Sequence, residues 1–339
     1  MFKKNWFVAV LMLVFLIFTL GGCGADQSDK KPAENENSKD LKGELIIYHA
    51  GSLTIPFAEL ERKFEALHPN VDIKRTAGGS RKIARQVAEL GDKVDILVSA
   101  DYTVIDNLLI PDYAKWNAWF GKNSMVIMYT DNSKYADEIN SDNWYEVLLR
   151  KGVNYGHSEP NIDPCGYRTV LVWQLAEKYY KQDGLFERLS NSCPANNIRP
   201  KSVELISLLE SGALDYAFEY ESVTRQHALK NPKFKWIELP EEINLSSVNH
   251  SEFYKNASID LNGAEPGQII TKVGEPIVYS LTMPTTGENK ELAVEFLKFF
   301  FNKEQGLKIL QDNGQPVLDK VTVTGEENLS EELKPVLLK

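Results

Sequence analysis

The chain has 339 residues, 43% of them hydrophobic and 25% charged, which gives length for about two domains and excludes a collagen-like or wholly disordered polymer. Asp and Glu number 48 against 38 Lys and Arg, and the formal net charge of −10 argues against a nucleic-acid partner held through phosphate contacts. Three cysteines are too few for a disulfide scaffold or a four-cysteine zinc site.

Lys3 and Lys4 put positive charge at the start, Trp6 to Leu20 is an uninterrupted apolar run, and Leu20-Gly21-Gly22-Cys23 follows at once. That is the pattern of an export signal. A run of about 15 residues is short for a helix crossing a hydrocarbon core of about 30 Å, so no permanent transmembrane segment is expected. Leu and two small residues before Cys23 resemble a lipobox, which makes 1–22 a signal peptide and Cys23 the lipid-modified N-terminus; the alternative is a cysteine in an ordinary signal peptide. From Gly24 to Lys42 there is scarcely an apolar residue to offset ordering entropy, so 23–43 reads as the lipidated cysteine and a flexible tether. The folded part is expected outside the cytoplasm, anchored to the membrane.

Glu44 to Tyr48 reads as a buried strand, and Phe57, Leu60, Phe64 and Leu67 give 55–67 helical spacing. Strands at 71–76 and 94–99 alternate with helices at 81–90 and 102–109, which indicates a mostly parallel sheet flanked by helices. Ser124 to Thr130 is a strongly apolar strand. Beyond it the pattern gives helices at 143–149, 167–180 and 202–209 and strands at 154–157 and 216–220. Pro276 to Thr282 is another apolar strand, and Glu291 to Phe301 is a helix with Leu292, Phe296 and Phe299 or Phe300 inward. Trp116, Trp119 and Phe120 read as core or hinge packing. Two apolar strands bracketing a middle α/β block predict a chain that leaves one lobe, builds a second and returns. Ligands of such folds lie at strand C-termini, between lobes.

Four segments carry chemistry. His49-Ala50-Gly51-Ser52-Leu53-Thr54 ends the first strand at a helix start, where small residues admit a ligand and unpaired N–H groups meet it; the alternative is plain capping by Ser52 or Thr54. Ala77-Gly78-Gly79-Ser80 repeats the arrangement after the second strand, without the Gly-Lys-Ser/Thr ending of a P-loop. Asp163-Pro164-Cys165-Gly166-Tyr167-Arg168 sets a tight turn at a helix start, with amides at Cys165 and Gly166 and a carboxylate at Asp163 that is alternatively an N-cap. The strand around Glu219 buries that carboxylate, which needs a partner; a salt bridge to Arg168 or Arg225 is the alternative, and Glu221 is expected at the exposed mouth.

With these segments, Asp95 to Asp101, Arg199 to Glu204 and Glu238 to Asn244 make the folded part, from about Gly43 to about Lys320, resemble the tungstate/molybdate-binding lipoproteins of ABC importers, in their archaeal-type branch. The resemblance implies an α/β, two-lobed periplasmic-binding-protein fold of type II, each lobe a mostly parallel sheet flanked by helices with the ligand in the cleft. Lobe I is then expected from 44–126 plus 283–339 and lobe II from 127–282. It implies a monomer that binds tungstate or molybdate, needs no cofactor, performs no catalysis and delivers the anion to a membrane permease. By the same resemblance Gly51, Ser52, Ser80, Cys165 and Gly166 hold the oxyanion, and Asp163 and Glu219 bind the metal centre itself. A further donor is expected after Glu219, around Leu239 to Asn244 or later.

Two carboxylates facing a dianion repel it, by about 4 kcal/mol for each pair of unit charges at 4 Å and an effective dielectric near 20. Hydrogen bonding does not account for them. If each places one oxygen on a hexavalent metal, a four-coordinate oxyanion becomes six-coordinate and the acids are ligands to a hard cation. Sulfur in sulfate does not readily accept such ligands, so the same two residues discriminate between anions of equal charge. The rival readings are a binding protein for another oxyanion, sulfate or phosphate, and an exported metal-dependent enzyme. The five histidines show no HExxH spacing and there is no Gly-x-Ser-x-Gly elbow. Cys165 and Cys193 remain after Cys23; the sequence does not decide whether they pair.

Overall fold

The computed structural model describes residues 41–338. The signal peptide, Cys23 and the tether as far as residue 40 lie outside the described residues, and β1 begins at Lys42, inside the stretch expected as tether. Among the described residues no helix is long and apolar enough to cross a membrane.

The strands are β1 (Lys42–Ala50), β2 (Asn70–Gly78), β3 (Ile96–Ser99), β4 (Asn117–Lys122), β5 (Met125–Thr130), β6 (Tyr155–Ser158), β7 (Ile198–Arg199), β8 (Tyr216–Tyr220), β9 (Phe234–Glu238), β10 (Ser258–Asn262), β11 (Ile269–Val273), β12 (Val278–Thr282) and β13 (Val317–Thr324). Six form one sheet in the order β13-β4-β12-β3-β1-β2, five form a second in the order β7-β6-β8-β5-β9, and β10 and β11 make a separate hairpin. Leaving aside β13, the two sheets share one plan. The first strand of each lobe, β1 or β6, lies between the second and the third; beyond the third comes a strand arriving from the other lobe, β12 or β5, and then β4 or β9.

Each sheet is mixed. β1 runs parallel to β2 and β3, and β6 parallel to β7 and β8, whereas β12 and β5 are antiparallel to their neighbours. The parallel part is where the βα rhythm was read, and the antiparallel part is made by strands that enter from the opposite lobe. The expected division needs correcting here. The boundary at 126/127 falls inside β5, and the one at 282/283 leaves β12 with lobe II although β12 pairs with β3 and β4 of the first sheet. An apolar strand advertises burial, not which sheet it joins.

Packing follows the periodicities. Phe57, Leu60 and Phe64 of the helix Thr54–Leu67 are buried, and Phe64 meets Phe296 and Phe299 of the helix Lys290–Phe300 edge-on at 5.2 and 5.5 Å. On the opposite face Ile83, Ala84 and Val87 of the helix Ser80–Leu90 join Leu97, Val104 and Ile105 in a second cluster. Trp116 and Phe120 are buried as expected, but Phe120 does so on a strand, β4, that sequence reading did not assign.

Candidate functional site

The first three strands of each lobe end at the same edge, so the shared plan brings six loops face to face. From lobe I come Gly51–Ser52 after β1, Ser80 after β2 and Ala100–Asp101 after β3. From lobe II come Asp163–Gly166 after β6, Ser202 after β7 and Glu219–Tyr220 at the end of β8. The lobes meet there. A Cβ on Gly51 would lie 3.5 Å from Val203 Cγ2, and one on Gly79 only 2.5 Å from the Ile162 carbonyl oxygen.

Ser52 caps no helix. Its hydroxyl is 2.9 Å from the Tyr279 hydroxyl, while Thr54 Oγ1 closes the turn by donating to the Gly51 carbonyl at 2.7 Å. Tyr279 also accepts from Asn123 Nδ2 at 3.0 Å, and that amide donates to Ser222 Oγ at 2.8 Å, a chain that runs from lobe I through the crossing segment into lobe II. Ser80 Oγ is fully buried and accepts from the Ala100 N–H at 3.0 Å, which leaves its own O–H to donate. The Arg81 and Lys82 amides beside it point across the cleft to the Ile162 carbonyl, at 3.1 and 3.3 Å.

Asp163 is the N-cap of the helix Pro164–Tyr179, accepting from the Cys165 N–H at 3.2 Å, and its second oxygen accepts from the Ser202 N–H at 2.8 Å. The capping and site readings therefore coexist in one side chain. The Gly166 N–H bonds to the Asp163 carbonyl at 3.0 Å, so both amides expected to face an anion are engaged within the turn. Glu219 is buried, with Oε1 accepting from the Tyr220 N–H at 2.8 Å and lying 3.8 Å from Cys165 Sγ. Among the described residues Glu219 Oε2 meets no donor, and neither Asp163 nor Glu219 is in an ion pair.

Burial pushes the Glu219 carboxyl from 4.5 up to about 8; the Tyr220 N–H and the Ser202 side chain offset part of this, while the charge of Asp163 adds to it. Burial likewise lifts Asp163 to about 6, against the N–H groups of Ser202 and Cys165. The Cys165 thiol goes well above its ordinary value, first by burial and then by the charges of Glu219 and Asp163. Glu219 thus keeps a buried carboxyl oxygen without a donor, and among the described residues no cation lies within ion-pair distance of either acid, although the charge of Arg168 draws Asp163 down.

The salt-bridge alternatives are not what forms. Arg168 donates to the Ala100 carbonyl and to the Tyr220 hydroxyl, both at 2.7 Å, and pairs with Asp101 at 3.4 Å. Arg225 binds Glu221, which also accepts from Ser124 Oγ at 2.6 Å, so Glu221 is the outer acid and Glu219 the inner one. Cys165 and Cys193 are both free. The 239–244 segment is occupied elsewhere: Asn244 bonds to the Leu239 carbonyl and takes the Met125 N–H. Sequence reading missed Ser202, Asn123, Tyr220 and Tyr279. Ser202 had a usable signal, since it follows the second strand of its lobe as Ser80 follows β2, but β7 is only two residues long.

Residues 45–315 match the family model described as bacterial extracellular solute-binding protein. The chain belongs to that family. A solute-binding protein of Petrotoga mobilis without a described ligand is 50% identical over 88% of this chain and 92% of its own length. A molybdate/tungstate-binding protein of Pyrococcus abyssi is 41% identical over 96% of each chain. Among solved structures, the periplasmic molybdate-binding protein of Azotobacter vinelandii superposes with a TM-score of 0.57 at 17% identity, covering 81% of this chain and 100% of that one, a likeness of fold. The family is one of extracytoplasmic binding proteins rather than enzymes, and its two-lobed α/β architecture is the one described above.

Proposed function

We propose that this solute-binding protein captures tungstate or molybdate between its lobes and delivers it to the permease of an ABC importer. Asp163 and Glu219 each give the metal one carboxylate oxygen, raising a four-coordinate oxyanion to six-coordinate, while Ser52 and Ser80 hold its oxo groups. The observation that carries this reading is the pair of buried carboxyls that, among the described residues, stand in no ion pair, with Glu219 Oε2 unmet, at the strand edge that also carries Ser52 and Ser80. When ionised, such a pair opposes an anion gripped by hydrogen bonds alone, whereas an anion that accepts ligands at its centre is selected by it. The molybdate/tungstate-binding relative at 41% identity supports the same ligand class. Cys23, by its lipobox, tethers the protein as a monomer to the outer face of the membrane.

Calorimetric titration with tungstate, molybdate, sulfate and phosphate, with X-ray absorption at the tungsten edge, tests the reading. Tungstate and molybdate are expected to displace one another, sulfate at similar concentration to displace neither, and the absorption edge to report six oxygens. Equal competition by sulfate, or a metal that stays four-coordinate, overturns it.

A further inference from the structure

The expected site does not use a buried charge cluster that gathers on Asp101. This residue follows β3 in lobe I and is fully buried. One oxygen, Oδ1, caps the helix Tyr102–Leu108 by accepting from the Thr103 N–H and Thr103 Oγ1, both at 2.9 Å. The other, Oδ2, faces lobe II and the hairpin. It takes the Tyr167 hydroxyl, Lys272 Nζ at 2.9 Å and Arg168 Nη2 at 3.4 Å. Lys272 stands on β11 and is itself buried; its remaining protons go to Thr103 Oγ1 at 2.8 Å and to Glu275.

The two halves of this carboxylate have different dependences. The cap is local to lobe I and survives if the lobes part, whereas every Oδ2 partner comes from the other side. Two buried cations then lose their common anion, a costly rupture for groups taken out of water. The hairpin is fastened to lobe I in a second place as well, where Arg85 donates to the Asn262 and Gly263 carbonyls at 2.9 and 2.5 Å. Arg168 extends the connection to the site, because it also holds the Ala100 carbonyl, whose residue's N–H binds Ser80, and the hydroxyl of Tyr220, next to Glu219.

We infer that Asp101, with Lys272 and Arg168, is a closure latch: positioning residues that lock lobe II and its hairpin onto lobe I and set how long a captured anion stays. The inference rests on the proposed reading of the cleft as an oxyanion site, and its test separates the two. Asp101→Asn keeps the capping acceptor and the size, and Lys272→Met keeps the aliphatic stem while removing the charge. Tungstate association and release are followed by stopped-flow fluorescence in the full chain, with its double variant. Hydrogen exchange at the Arg81 and Lys82 amides, which bond across the lobes to Ile162, reports closure in protein without tungstate.

Both variants are expected to release tungstate at least tenfold faster with association within threefold of the parent, and to exchange those two amides at least tenfold faster while β1 is unaffected. The double variant is expected to release no faster than Asp101→Asn. Release and exchange within twofold of the parent in folded Lys272→Met overturn the latch, even if Asp101→Asn melts lower, because a purely structural cluster changes melting alone. A parent protein that takes up no tungstate sinks the oxyanion reading instead, and the exchange measurement still decides the latch.

Discussion

At the scale of single residues, Glu219 is where stability and function oppose each other. Its carboxyl is held near pH 8 mainly by burial, so above that pH the protein carries an ionised, uncompensated acid inside lobe II. Glu219→Gln keeps the shape and one acceptor for the Tyr220 N–H but removes the charge. Tungstate affinity is expected to fall at least a hundredfold, roughly 3 kcal/mol, while the melting temperature at pH 8.5 rises. Titration calorimetry and thermal melts check the two halves: a variant that binds normally contradicts the ligand role, and one that melts lower contradicts the cost assigned to the buried charge. Sequence alone singled out both Glu219 and Glu221. Strand alternation favoured the first, and the structure gives the reason: β8 ends at Tyr220, so Glu221 opens a helix and turns to Arg225.

At the scale of elements, two glycines bear on different joints. A Cβ on Gly166 would lie 2.1 Å from the Ser158 carbonyl, within lobe II, where the helix carrying Asp163 presses on the end of β6. One on Gly79 would lie 2.5 Å from the Ile162 carbonyl, across the cleft. Gly166→Ala is expected to destabilise the fold by about 1–3 kcal/mol, as overpacking does, whereas Gly79→Ala leaves denaturant stability within about 0.5 kcal/mol and weakens tungstate binding at least tenfold by wedging the lobes. Equal effects of both on stability, read from urea unfolding and calorimetry, contradict that assignment. The elements bearing Gly79 and Gly166 were legible because each carries a run of apolar residues at strand or helix spacing beside a Gly or Pro turn. The hairpin β10–β11 was not, since its burial is thin and its side chains largely polar or exposed, and neither was β7, too short to show a period. Ser202 and the Lys272 end of the latch were lost with those strands.

For the whole molecule, the buried titratable groups set a stability profile that the two carboxyls and the histidines pull in opposite directions. His49 is buried and held to about 4, mainly by burial, so the unfolded chain binds a proton that the folded one refuses. Its contribution grows as pH rises from about 4 to 6.5 and is complete above that. Asp163 and Glu219, raised to about 6 and about 8, act the other way: the folded protein keeps protons that the unfolded chain releases, a stabilisation fully present below the ordinary carboxyl range and lost as pH climbs through 6 and then 8. Between pH 6.5 and 8.5 His49 is silent and Asp163 is mostly spent, so Glu219 governs the interval. Stability of the protein without tungstate is expected to fall there by roughly 2 kcal/mol, the linkage slope of about 1.4 kcal/mol per pH unit acting until Glu219 ionises. Saturating tungstate flattens the same interval, because carboxylates bound to the metal are ionised at every pH within it and the complex holds no proton to lose. Denaturant unfolding at half-unit steps, with and without tungstate and in Glu219→Gln, reads all three slopes. A decline that persists in Glu219→Gln moves its origin to another group, and one that tungstate leaves untouched means that the bound anion does not engage this carboxylate.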